Sequence, residues 1–141
     1  MPTNAESSWA ADTSFAVAAL DESHDAHVTC RDLARSRRPV LAGHAAFETF
    51  SVLTRLPGAL RPSPATVSTL LARAFPSPCW LSASHHDELM DRLGTLGTEG
   101  GQVYDALVAE AARVHGRTLL SRDLRARRTY ELVGVDHEFV V

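Results

Sequence analysis

The sequence contains no lysine: all 14 basic residues are arginine. That absence excludes two kinds of chemistry at once. A phosphate-binding P-loop needs the lysine of its GK[ST] motif, and a Schiff-base enzyme needs an amine. Cysteine is nearly as scarce. Cys30 and Cys79 lie far apart with no CxxC spacing, so they read as two reduced core thiols. Long apolar runs are missing too, which excludes a membrane-spanning helix. The first eleven residues lack a basic stretch followed by an apolar one, so no secretion signal is expected and the cytoplasm is the expected compartment. Aromatic residues make up only 6%, and Trp9, Trp80 and the phenylalanines are expected in the core. The net charge of −3 does not advertise nucleic-acid binding, which usually shows as a basic excess. A site built on clustered carboxylates can still be acidic overall, because bound metal supplies local positive charge.

What is present suits one domain. The chain has 141 residues, 45% hydrophobic and 22% charged, an ordinary globular balance with room for one core. Residues 1–8 are polar and expected to fray. Trp9-Ala10-Ala11 predicts a short buried strand ending at Asp12, and Thr13 or Ser14 offers a cap for a helix over 15–20. A second helix is predicted over 24–36 with Val28, Leu33 and Ala34 inward, then a strand over 39–42. A strong helix follows over 44–56, with Phe47, Phe50, Leu53 or Thr54, and Leu56 at three-to-four spacing. Residues 57–64 read as a connector and 65–74 as helix. Cys79-Trp80-Leu81 is a candidate strand, and Ser84 a cap for a helix running toward Leu96. Val103, Leu107, Ala111 and Val114 mark an amphipathic helix ending at Gly116. Thr118 to Ser121 is a strand, then comes Asp123 with a short Arg-rich helix, and 139–141 closes as an edge strand. Strands alternating with helices predict an α/β fold, a parallel sheet with helices on both faces.

Ligands of such a sheet bind at the carboxyl ends of its strands. Asp12 and Asp123 fall at two predicted strand ends, Glu48 at the edge of an apolar helical face, and Asp105 in the first turn of another helix. Each has a structural explanation alone. Asp12 can cap a helix, Asp105 can favour a helix N-terminus, and Glu48 can pair with Arg55 or Arg113. Together, in this order and these elements, they point to a shared cation. Hard divalent ions prefer oxygen ligands and keep several waters. One or two such ions activate water and stabilise charge during displacement at phosphorus. Gathered without metal, four carboxylates raise one another's pKa.

These residues resemble the PIN-domain ribonucleases, and among them the VapC-type toxins of bacterial toxin–antitoxin modules. The resemblance spans essentially the whole length. It is carried by Ala11-Asp12-Thr13-Ser14, by Phe47-Glu48-Thr49-Phe50-Ser51-Val52-Leu53-Thr54, by Val103-Tyr104-Asp105-Ala106-Leu107-Val108-Ala109 and by Leu119-Leu120-Ser121-Arg122-Asp123. It implies one PIN-like domain over 1–141 whose acids Asp12, Glu48, Asp105 and Asp123 bind Mg²⁺ or Mn²⁺ and cut single-stranded or looped RNA, transfer or ribosomal. Ser14 and Ser121 fall where the family places hydroxyls that order the acids or their waters. The resemblance also implies a homodimer and a separately encoded antitoxin that packs on the toxin. The apolar helices near 47–56 and 65–74 are the expected partner surfaces. The non-enzymatic alternative is an RNA- or antitoxin-binding domain that keeps the acids without the activity.

Other candidates are weaker. Arg122, Arg125, Arg127 and Arg128 form the densest basic patch, either a solvated helix face or a phosphate grip on RNA. His85-His86 precede Asp87 and Glu88, but adjacent helical residues point apart, which favours capping. His24 and His27 lack a third ligand. A receiver domain and an Asp-nucleophile phosphatase both rely on lysine, and the latter also wants a D-x-D start where this chain has Asp12-Thr13-Ser14.

Overall fold

The computed structural model describes residues 8–141. Its elements follow the order β1 (Trp9–Ala11), α1 (Thr13–Leu20), α2 (His27–Arg37), β2 (Val40–Leu41), α3 (Ala45–Leu53), α4 (Pro64–Ala74), α5 (Ala83–Leu96), α6 (Gln102–Val114), β3 (Thr118–Ser121), α7 (Arg127–Val133) and β4 (His137–Phe139), with short 3₁₀ turns at Gly58–Leu60 and Leu124–Ala126. The four strands form one parallel sheet in the order β2-β1-β3-β4.

Side-chain alternation along the central strands builds two cores. Ala10 and Leu119 face one side and pack with Ala106, Ala109, Tyr130 and Val133 of α6 and α7. Their neighbours Ala11 and Leu120 face the other and pack with Phe15, Ala16, Cys30 and Phe75. Helices therefore cover both faces, as the alternation of elements predicts. Alanine dominates the buried side of α6, which lets that helix approach the sheet closely. Both cysteines are free and buried. No helix among the described residues is long and apolar enough to cross a membrane.

Several boundaries differ from the sequence reading, each for a local reason. Asp12, not Thr13 or Ser14, caps α1: its backbone is still extended as β1 ends, and its side chain accepts the Phe15 N–H. Ser82, not Ser84, caps α5, in a reciprocal pair with His85, so that histidine serves as a cap. Cys79-Trp80-Leu81 forms no strand beyond a single parallel bridge between Ala42 and Cys79; Pro76 and Pro78 beside it have no N–H to donate. β4 starts two residues early, and pairing runs on to Val140, whose N–H donates to Ser121 O. The expected fraying of 1–8 lies outside the described residues except at Ser8, whose carbonyl accepts the Thr118 N–H and lengthens the sheet.

Three residues expected inside lie outside. Val28 is 59% exposed because it sits about 200° around α2 from the buried Cys30. Phe47 is 63% exposed because the inward stripe of α3 is Ala45, Thr49 and Leu53. Trp80 is 48% exposed because Cys79, its neighbour in extended chain, takes the inward position.

Candidate functional site

The chain leaves β1 toward β2 on one side of the sheet and returns to β3 on the other, so the strand order switches direction between β1 and β3. Open parallel sheets leave a crevice at the carboxyl ends of such a pair. Asp12 directly follows β1, and Asp123 lies two residues beyond β3. α3 brings Glu48 to the same crevice and α6 brings Asp105. All four line one cavity of about 440 Å³, together with Thr13, Ser14, His24, Arg122 and Tyr130. Residues 12 to 123 are thus gathered from four separate elements.

The cavity floor is tightly bonded. Asp12 is buried, and its Oδ1 accepts the Ser14 hydroxyl at 2.7 Å and the Phe15 N–H at 3.0 Å. Its Oδ2 accepts the Tyr130 hydroxyl at 2.7 Å. Burial raises the Asp12 carboxyl above its usual range, against the opposing pull of Ser121, the Phe15 N–H, Ser14 and Tyr130. Burial, and then the negative charge of Asp12, drive the Tyr130 phenol far up in turn, so it remains a donor. Ser14 Oγ also accepts the Arg122 N–H at 2.7 Å and lies 3.4 Å from Ser121 Oγ, which accepts the Asp123 N–H at 3.0 Å. The two serines thereby tie the ends of β1 and β3 together.

The walls are less well compensated. Glu48 Oε1 accepts the Thr13 hydroxyl at 3.0 Å, and neither Arg55 nor Arg113 pairs with it; Arg113 is bound to Glu110 instead. Asp105 is pushed up to about 6, first by burial and then by the charges of Asp123, Glu48 and Asp12, with Arg125 opposing weakly. Asp123 caps the following 3₁₀ turn and meets Arg125 Nε at 3.3 Å. Arg125 is almost fully exposed, so that pair adds little.

Among the basic candidates, only Arg122 lines the cavity, with its guanidinium held by the Val140 carbonyl at 2.8 Å. Arg127 turns away over the Phe139 ring, and Arg128 is exposed. His24 and His27 do not pair as ligands. His24 lines the cavity, while the His27 ring bonds the Ala18 carbonyl. Thr13, Tyr130 and His24 were not singled out as site residues by sequence. Thr13 had a signal in its place beside Asp12, whereas Tyr130 is 118 residues away and had none.

Apart from the His24 imidazole, the groups in the cavity able to hold a cation are carboxylate and hydroxyl oxygens, the set that suits a hard divalent ion. The acids line an open cavity; among the described residues no three His, Cys, Asp or Glu side chains are drawn together as a ready-made ligand set for a metal ion. An open arrangement suits an ion that retains water. The mutual repulsion felt by Asp105 is what a cation would relieve, so the residues fit such a group.

Comparison with known proteins identifies the family. Residues 10–132 match the family model described as PIN domain. Ribonuclease VapC27 of Mycobacterium tuberculosis (strain ATCC 25618 / H37Rv) is 44% identical over 126 residues, covering 89% of this chain and 92% of the relative. Ribonuclease VapC40, from two strains of the same species, is 42% identical over 132 residues, covering 93% of this chain and 98% of the relative.

Proposed function

This chain belongs to the PIN-domain family as a VapC-type toxin endoribonuclease, and from that premise we propose that it cuts RNA with Mg²⁺, or Mn²⁺ in its place, held by Asp12, Glu48, Asp105 and Asp123. The observation that carries this reading is the convergence of those four acids at the switch point of the sheet, with the Asp105 carboxyl pushed up to about 6 by burial and then by the charges of the other three.

When bound, the metal supplies an activated water and positive charge for the phosphorane-like transition state. The rest is the work of the chain. Tyr130, Ser14 and the Phe15 N–H fix the Asp12 carboxylate in one orientation. Thr13 does the same for Glu48, and the Ser14–Ser121 contact fixes the spacing of β1 and β3. Arg122, on the cavity wall, offers a cation to a phosphate oxygen. Addition of water oxygen to phosphorus and departure of a ribose oxygen, which takes up a proton, leave one phosphate monoester and one hydroxyl end.

The proposal includes a transfer- or ribosomal-RNA substrate, a cognate antitoxin, a homodimer and action in the cytoplasm, as in the toxins this chain resembles. RNA cleavage is expected to stop in chelator and to return with Mg²⁺ or Mn²⁺. Cleavage undiminished by chelator overturns the assignment of the metal site.

A further inference from the structure

Beside the acid cavity lies a second concavity, of about 200 Å³, framed by His44, Phe47, Trp80, His86 and Leu107. Phe47 and Trp80 stand 5.7 Å apart with rings tilted by 51°, and both are about half exposed or more. His44 stacks on Tyr104, also half exposed, at 5.1 Å and 20°. Three exposed rings, Phe47, Trp80 and Tyr104, within a chain of 6% aromatics are not required by the core.

Their position relates them to the acids. α3 turns Glu48 and Val52 to the acid cavity, and Phe47 with the capping His44 to the notch. α6 turns Asp105 and Val108 to the cavity, and Leu107 and Ala111 to the notch. The His44–Tyr104 stack bridges the starts of these two helices. A strand leaving the acids across those helix starts meets aromatic faces next.

We propose that this notch is a subsite for an unpaired nucleobase of the RNA substrate, one flanking the phosphate that is cut; the inference rests on the ribonuclease reading above. Single-stranded RNA is recognised by splaying bases onto aromatic faces and bonding their edges. The notch provides both elements. Ring faces come from Phe47 and Trp80, and edge donors or acceptors from the imidazoles of His44 and His86 and the Trp80 indole N–H. It is smaller than the roughly 300–1,000 Å³ that encloses a drug-sized ligand, which suits one heterocycle.

The test uses the full chain carrying Trp9→Phe, so that Trp80 alone reports emission. In chelator, a short mixed-sequence single-stranded oligoribonucleotide is expected to quench Trp80, while inorganic polyphosphate is not. With Mg²⁺ and an oligomer cut at one site, a single abasic nucleotide is walked along the sequence. One position should lower kcat/KM roughly 5- to 150-fold, mostly through KM, as loss of one stacked base predicts. Trp80→Ala and Phe47→Ala should already show that loss and be insensitive to the abasic site there, with Trp80→Phe restoring most of it. Equal quenching by polyphosphate, or an abasic profile unchanged by both alanine variants, overturns the proposal. So does conversion of a dimer to a monomer by Trp80→Ala with the profile unaltered, which assigns the patch to a second copy. Absence of cleavage with any metal defeats the ribonuclease reading, and the quenching measurement then still decides the subsite.

Discussion

Two carboxylates five residues apart on α6 are treated in opposite ways. Glu110 is buried, and its oxygens accept Arg113 Nε and Nη2, both at 2.8 Å, and Arg92 Nη1 at 3.0 Å. The Arg113 hydrogen bonds lead in holding its carboxyl below the usual range. Asp105 has no such partner and is held up near 6 by burial and three acids. Five residues of helix thus separate an acid that the fold neutralises from one that the fold leaves charged at its own expense. A buried acid required only for structure can be given an arginine, as Glu110 shows. On the proposed reading, the counter-charge of Asp105 is a bound cation, with which an internal arginine would compete.

The largest effect should come from exchanging the two acids' fates in the cleavage assay. If Asp105 is the hard ligand proposed, Asp105→Asn lowers kcat by about 100-fold or more, since even outer-shell changes around metal sites cost 10–100-fold. Glu110→Gln should leave kcat within about twofold at a temperature where it remains folded. Comparable losses in the two variants would erase the distinction drawn between them.

Stability should rank them the other way. Glu110→Gln weakens charge-assisted bonds worth about 1.5–3 kcal/mol. Because Arg92 and Arg113 are 37% and 41% exposed, they can turn to water, and a loss of about 2 kcal/mol is expected instead of the larger cost of a stranded buried charge. Urea melts at neutral pH in chelator read this directly. A neutral outcome makes Glu110 a surface-like pair and weakens the contrast.

How much of this was legible in the sequence depends on distance along the chain. The strand ends at Asp12 and Asp123, the parallel sheet and the helices on both faces follow from local periodicity, and the structure has them. The structural alternative for Glu48, a pair with Arg55 or Arg113, is not formed, and helical i, i+3 spacing gives Arg113 to Glu110. Tyr130 was invisible because nothing local marks a tyrosine in an Arg-rich helix as the donor to an aspartate at the other end of the chain. Phe47 and Trp80 lie outside the core because hydrophobicity alone does not fix burial. A count of apolar residues on α3 does not say that Thr49, bonded back to the Ala45 carbonyl at 2.7 Å, takes the inward stripe that Phe47 leaves. Spacing identifies a face, while the neighbouring elements decide which face is covered.

The smallest and most diagnostic effect is on pH dependence. In chelator, folded Asp105 takes up its proton near pH 6, whereas the unfolded chain does so near the ordinary value of 3.8. Between those limits the native state binds more protons, so stability falls as pH rises from about 4 to 6 and regains nothing above. Glu110 has the opposite sign: its lowered pKa gives stability that is present above the unfolded value of 4.5 and lost as pH falls through the lower folded one. The two windows barely overlap, so melts between pH 5 and 7 report mainly on the acid cavity. Asp105→Asn should flatten that slope and, at pH 7, raise stability by on the order of 1 kcal/mol, since a like charge is relieved, whereas Glu110→Gln should keep the slope. Saturating Mg²⁺ should reverse it in the wild-type chain, because metal binds the deprotonated acids and stabilises more as pH rises. A wild-type slope unchanged by both Asp105→Asn and Mg²⁺ means that the cavity acids do not share a charge problem, and that no cation is needed to solve it.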